Sequence, residues 1–250
     1  MLILYLALLL GALVATAWLA GRARPGYLAL AWVLVPLLLM PLWLQNSAEY
    51  NWTWFLLAKA WSVILACAFL SLAVERKISP RVVSVVLWLF LCVNILEAVA
   101  VDWSRGSRLN AIAGVVLIVC MGRAFAPRPH HAEVAIPLGW PWIASYVAWN
   151  ACFVYHAFPV AFGQTLMVLL AAMILAAWKG QEYWLSSRAT TLGLYLLAYC
   201  SLFGPMQRLS TAAWFHPEVG ALFAMMSLLL AMLMAGHTVA GRFRRPVTAS

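Results

Sequence analysis

Lys59, Asn94 and Glu97 are the residues of this chain best placed to do chemistry, because each sets a charge or an amide inside a run of otherwise apolar side chains. A charged group at the centre of a membrane helix costs about 2.5–3.5 kcal/mol on insertion scales, so it must be compensated. Lys59 is the only other full charge comparably deep in an apolar run, which makes it the first partner for Glu97. Such a pair can hold a polar solute or pass a proton, since desolvation and mutual attraction both perturb ionisation. It can equally be a structural tie between two helices, or a lysine snorkelling to the surface. Asn94 and Glu97 stand three apart and share one helix face. Asp102 falls where the same helix leaves the apolar run, and Arg105, one turn on, is its expected partner.

The elements that must position these groups are helices in lipid. With 66% hydrophobic and 9% charged residues, the chain is far from the roughly 25% charged usage of soluble domains. No polar stretch of domain size interrupts it, so residues 1–250 read as a single transmembrane domain. Punctuation by polar residues, Pro and Gly gives nine candidate helices, at about 2–20, 27–44, 52–74, 82–101, 108–126, 138–158, 161–178, 186–204 and 218–240. Most approach the roughly 20 residues that a hydrocarbon core requires. The fold class expected is all-α, a polytopic bundle of about nine spans joined by short loops, with sequential neighbours antiparallel.

The net charge of +9 does not point to nucleic acid, because the basic residues cluster at the ends of apolar runs. Twelve of them, including Arg22, Arg24, Arg81, Arg188 and Arg242, fall at one set of ends, and Arg105, Arg108 and Arg208 at the other. That bias places the N-terminus outside and the C-terminus in the cytoplasm of a prokaryotic cell (inner) membrane. The first helix, followed rather than preceded by arginines, reads as retained rather than as a cleaved leader. Five cysteines lie within apolar runs with no CxxC pair and read as buried thiols.

This topology puts Lys59 and Glu97 at similar depth in the outer leaflet, together with Asn94, Asn110, Asn150 and Tyr199. One polar chamber on the outer side would use them all. Trp142, Tyr146, Asn150 and Phe153 form one stripe of the sixth helix, and Thr191, Tyr195 and Tyr199 one of the eighth. Aromatic stripes also serve packing, and amides also join helices. Arg188 reads as a cytoplasmic anchor. His130-His131-x-Glu133 reads as a solvated loop rather than a metal site, since adjacent histidines diverge and no third ligand cluster follows. No Walker loop, GxSxG elbow or HExxH is present, and no metal or cofactor is expected.

Several motifs together resemble an uncharacterised domain-of-unknown-function family of prokaryotic multi-span membrane proteins. They are Trp54-Phe55 with Lys59, Asn94-Ile95-x-Glu97-Ala98-Val99 with Asp102, Asn110-x-Ile112-Ala113-Gly114, Tyr146-x-x-Trp149-Asn150, Arg188-Ala189-x-Thr191-Leu192, and His216-Pro217 before the last helix. The resemblance implies about nine helices and brings no activity with it. His216-Pro217 departs from the His-Asn-Pro of that family.

The candidate site is therefore Lys59, Asn94, Glu97, Asp102, Asn110, Tyr146, Asn150 and Tyr199. The function expected is a transporter or channel for a small polar solute or ion, with proton coupling through a carboxylate that alternates between lysine and solvent. The alternatives are a membrane-embedded enzyme acting on a lipid-like substrate, with Glu97 or Asp102 as acid or base, and a receptor or assembly subunit with a structural polar core. The partners expected are the lipid bilayer and the solute, with no nucleic acid.

Overall fold

A computed structural model of the chain describes residues 1–52, 54–75, 78–121, 128–130 and 133–243. These form α1 (Leu2–Ala20), α2 (Pro25–Glu49), α3 (Trp54–Glu75), α4 (Pro80–Ser104), α5 (Arg108–Met121), the strands β1 (Arg128–His130) and β2 (Glu133–Ala135), α6 (Trp140–Ala157), α7 (Phe162–Lys179), α8 (Trp184–Ser201), the short α9 (Phe203–Gln207) and α10 (Pro217–Phe243). Proline sets several starts. Pro25, Pro80 and Pro217 open α2, α4 and α10, where the missing N–H breaks no helical bond and the fixed φ suits the first turn. The Ser79 hydroxyl caps α4 by accepting from the Val82 N–H at 3.4 Å.

Each of the nine expected stretches contains a helix. α2 continues to Glu49, through Pro36 and Pro41 in its interior. The expected eighth helix breaks at Leu202, and the segment Phe203–Trp214 is bent by 108° against Gln181–Ser201. The end of the expected fifth helix, beyond Met121, lies outside the described residues. Six helices are long and apolar enough to cross a membrane: α1, α2, α3 over Leu56–Glu75, α4, α7 with its leading turn, and α10 over Pro217–Ala240. The bent pair brings the number to seven, which is the architecture of a multi-pass membrane protein. α6, with 18 residues, carries Ser145, Tyr146 and Asn150 and is shielded by its neighbours rather than by lipid.

Contacts between helix ends sort into two layers. In one, Lys179 at the end of α7 pairs with Glu133 of β2 at 2.6 Å, against the Gly21 that follows α1. In the other, Asn46 of α2 donates to the Cys200 carbonyl of α8 at 2.8 Å, and Arg105 after α4 donates to the Ala157 carbonyl of α6 at 2.7 Å.

Neighbours in sequence are not always neighbours in space. α1 packs on α7 and α8, and α10 on α5 and α6, while α3 packs on α2 and α8 and barely meets α4. The expectation of antiparallel pairing throughout is thus corrected, because short loops fix only which ends are close. The faces themselves are chosen by small residues that let a neighbour approach. A Cβ on Gly163 of α7 would lie 3.1 Å from Leu6 Cδ1 of α1, and one on Gly114 of α5 would lie 2.5 Å from Val99 Cγ2 and 2.8 Å from Trp149 Nε1. α1 is consequently peripheral, with 17% of its apolar window buried, and α7 central, with 50%. The larger core gathers α4, α5, α6, α8 and α10 around Trp149, Trp184, Tyr146 and Trp142.

Candidate functional site

The near-absence of packing between α3 and α4 is bridged by one polar link. Lys59 lies five residues into α3, about 8 Å along the axis, and Glu97 seven residues before the end of α4, about 10 Å. At these matched heights Lys59 Nζ stands 3.0 Å from Glu97 Oε2 and also donates to Asn94 Oδ1. The side chains of Lys59 and Glu97 keep 26% and 32% of their exposure, so the pair borders open space rather than filling it.

That space consists of two cavities. The first, of about 330 Å³, lies between α3 and α4 and is floored by Tyr146 of α6 and by Leu185, Arg188, Ala189 and Leu192 of α8. Its mouth is formed by Ala58, Ser62, Phe90 and Val93, all exposed on the outer surface of the two helices, so it opens sideways rather than toward a helix end. The second, of about 350 Å³, lies inside the bundle between α3, α4, α6, α7 and α8, and is lined by Asn150, Phe153, Thr165, Tyr195 and Tyr199 among others. Lys59, Asn94, Glu97, Arg188 and Leu192 line both. Each volume falls within the roughly 300–1,000 Å³ of ligand sites.

Two side chains on these walls are buried with polar atoms left over. Arg188 is 6% exposed, yet its Nε and Nη1 have no hydrogen-bond partner. The ion pairs among the described residues are Lys59–Glu97 and Lys179–Glu133, so no carboxylate answers the Arg188 guanidinium, whose polar neighbour is the Tyr146 hydroxyl. Asn150 is 7% exposed, with Oδ1 unpartnered. Elsewhere on the second wall the bonds are closed, with the Tyr195 hydroxyl donating to Gln164 Oε1 at 3.1 Å and Gln207 Nε2 donating to the Tyr199 hydroxyl at 3.3 Å. The reading of Arg188 as a surface anchor is corrected. Extending the Thr191, Tyr195 and Tyr199 stripe by one turn toward the start of α8 reaches Arg188, which is the pattern that would have found it.

Six of the eight candidate residues border the cavities: Lys59, Asn94 and Glu97 both of them, Tyr146 the first, Asn150 and Tyr199 the second. Asp102 and Asn110 do not. Asp102, 1% exposed, accepts from Asn110 Nδ2 at 2.7 Å, while Asn110 and Trp149 exchange bonds between side chain and backbone at 3.3 and 3.0 Å. This node ties α4, α5 and α6 at the place where Gly114 lets Trp149 in. The expected interfacial Asp102–Arg105 pair is not formed, since the Arg105 guanidinium turns to the Ala157 carbonyl.

Glu133, read as part of a solvated loop, belongs to a strand and holds Lys179, while His131 lies outside the described residues. Among the described residues no group of three or more His, Cys, Asp or Glu is placed to hold a metal. The five cysteines form no disulfide, and four of them are buried.

The family model that matches the chain runs over residues 1–245, through every helix that builds these cavities. The chain belongs to DUF5692, a family of unknown function. No curated protein and no solved structure matches this DUF5692 chain, so what its site does must be argued from geometry.

Proposed function

We propose that this DUF5692 protein is a transporter that carries a small solute across a membrane, with the two cavities as its substrate path and the Lys59–Glu97–Asn94 link as the barrier between them. The observation that carries the reading is that two cavities of ligand size share one ion pair as a common wall. Opening that pair costs only the contacts of three side chains, because α3 and α4 have little else to separate. Glu97, released from Lys59, becomes a carboxylate facing a cavity, and taking up a proton there would couple movement of the solute to protons. With this reading goes a topology of nine crossings in a prokaryotic cell membrane, which adds α5 and α6 to the six long helices and the bent pair. The two layers of helix-end contacts fit such alternation. With Arg188 buried, the basic residues divide eleven against three, still favouring a cytoplasmic C-terminus.

The lateral mouth of the first cavity favours one second reading, an enzyme acting on a lipid-like substrate within the bilayer. Proteoliposomes holding the full chain and an internal pH dye, challenged with a panel of small organic anions, cations and neutral solutes, separate the two. Transport predicts a proton signal driven by particular solutes and lost in Glu97→Gln. No such signal across the panel, with chemical turnover of an added lipid, would reject transport in favour of the enzyme. Reporters fused after Ser250 read the orientation: a cytosolic-only reporter is expected to be active, and an active periplasmic one overturns the topology.

A further inference from the structure

The first cavity combines three features: a buried cation with free donors, apolar walls and a mouth facing the bilayer. Two cations, Lys59 and Arg188, and one carboxylate, Glu97, leave its lining one positive charge in excess. Lys59 and Glu97 satisfy each other, so the excess resides on Arg188. A guanidinium presents a planar fork of donors that matches carboxylate and phosphate oxygens, and donors without a partner in a low-dielectric setting are costly until such a group arrives. Apart from the Tyr146 hydroxyl, Ser62 and the Lys59–Asn94–Glu97 link, the wall is apolar, with Val63, Ala66, Leu70, Leu87 and Leu91. A hydrated inorganic anion would give up much of its water to these apolar side chains with only a few polar groups in exchange. The mouth between Ser62 and Val93 opens on the exposed flank of α3 and α4, the face that acyl chains would cover in a membrane.

We propose that the first cavity takes an anionic amphiphile, a molecule with one carboxylate or phosphate head and an apolar chain, which slides in from the bilayer between α3 and α4 and docks its head on Arg188. This deepens the transport reading by naming the substrate class of the same site, and it rests on that reading only for what happens after binding. Asn150, with its free Oδ1 on the adjoining cavity, offers a second polar stop further along the path.

The test is calorimetric binding to the full-length protein in nanodiscs of zwitterionic lipid, with empty nanodiscs subtracted. The probes are dodecanoate, octanoate, dodecanol and inorganic phosphate. Saturable binding of dodecanoate is expected, with dodecanol and inorganic phosphate at least about tenfold weaker, the scale of a lost charge-assisted hydrogen bond. Arg188→Gln should weaken dodecanoate by a similar factor and leave dodecanol unaffected. If that variant does not fold, Ala66→Leu keeps the inference exposed to failure: it fills the apolar end and should weaken dodecanoate while sparing octanoate. Equal binding of dodecanol, tight binding of phosphate alone, or a chain-length preference unmoved by Ala66→Leu overturns the proposal. Binding that behaves as expected without any flux in proteoliposomes defeats the transport reading and leaves this one standing. Flux of a non-anionic solute with no dodecanoate binding does the reverse.

Discussion

Two lysine–carboxylate pairs stand among the described residues, and they sit in opposite surroundings. Lys179–Glu133, at 2.6 Å, joins the last turn of α7 to β2, with 20% and 16% of its side chains exposed. Lysine at a helix C-terminus is favoured by the helix dipole, and the space beside Gly21 is so full that an added Cβ would lie 2.8 Å from both charged atoms. The void next to it measures about 20 Å³, too little for more than a water. Lys59–Glu97, at 3.0 Å, has a cavity on either side and an unanswered arginine at its foot. One chemistry thus serves two ends: a pair with no room to spare beside it fastens elements, whereas a pair with empty space beyond it can be exchanged for a ligand.

The largest contrast is expected from removing each pair. Lys59→Met or Glu97→Gln alone should abolish solute-driven proton flux and destabilise the fold by about 1–3 kcal/mol, less than the ~3–5 typical of fully buried pairs. The double variant should regain stability, read by thermal unfolding in detergent, but not flux. Recovery of both would reduce this pair to a fastener and erase the contrast. Lys179→Met and Glu133→Gln should behave the other way: each loses about 1–2 kcal/mol, the double variant recovers part of it, and flux per folded molecule stays at the wild-type level throughout. A third comparison uses the Asp102–Asn110 node, which has no cavity. Asp102→Asn keeps an oxygen for the Asn110 amide and should cost under about 1 kcal/mol with flux unchanged, while Gly114→Ala should cost about 1–3 kcal/mol by driving α5 from Val99 and Trp149. Loss of flux without loss of stability in Asp102→Asn would enlarge the site to include the node. The smallest effect concerns salt. Between 0.05 and 0.5 M, ionic screening should lower stability through Lys179–Glu133, at the helix ends, and leave the contribution of Lys59–Glu97 nearly constant, as a comparison of the two double variants would show.

Much of this was legible in the order of residues. Helix positions followed from apolar run length and proline, and the Lys59–Glu97 pair from matched depth, since a charge in lipid has few ways of being compensated. Asp102 was misplaced because a residue near the end of an apolar run looks interfacial, whereas α5 and α6 bury it through Asn110 and Trp149, a contact set by the small Gly114. Arg188 was misplaced for the same reason, four residues from the start of α8. Depth along one helix is readable from sequence, but which neighbour covers that depth is not. The gap between α3 and α4 could not be read either, because a short loop implies a packed pair and only the competing partners of α3 reveal otherwise.

The uncompensated charge of Arg188 has an electrical consequence. A fixed positive charge inside a membrane-spanning helix holds its anion partway through the transmembrane field, and that field is worth about 2.3 kcal/mol per charge for every 100 mV crossed in full. An anion leaving Arg188, near the start of α8, crosses about a quarter of it toward one surface and about three quarters toward the other, roughly 0.6 and 1.7 kcal/mol for 100 mV. Voltage would then favour release toward one side over the other, giving direction to a site that by its contacts alone has none.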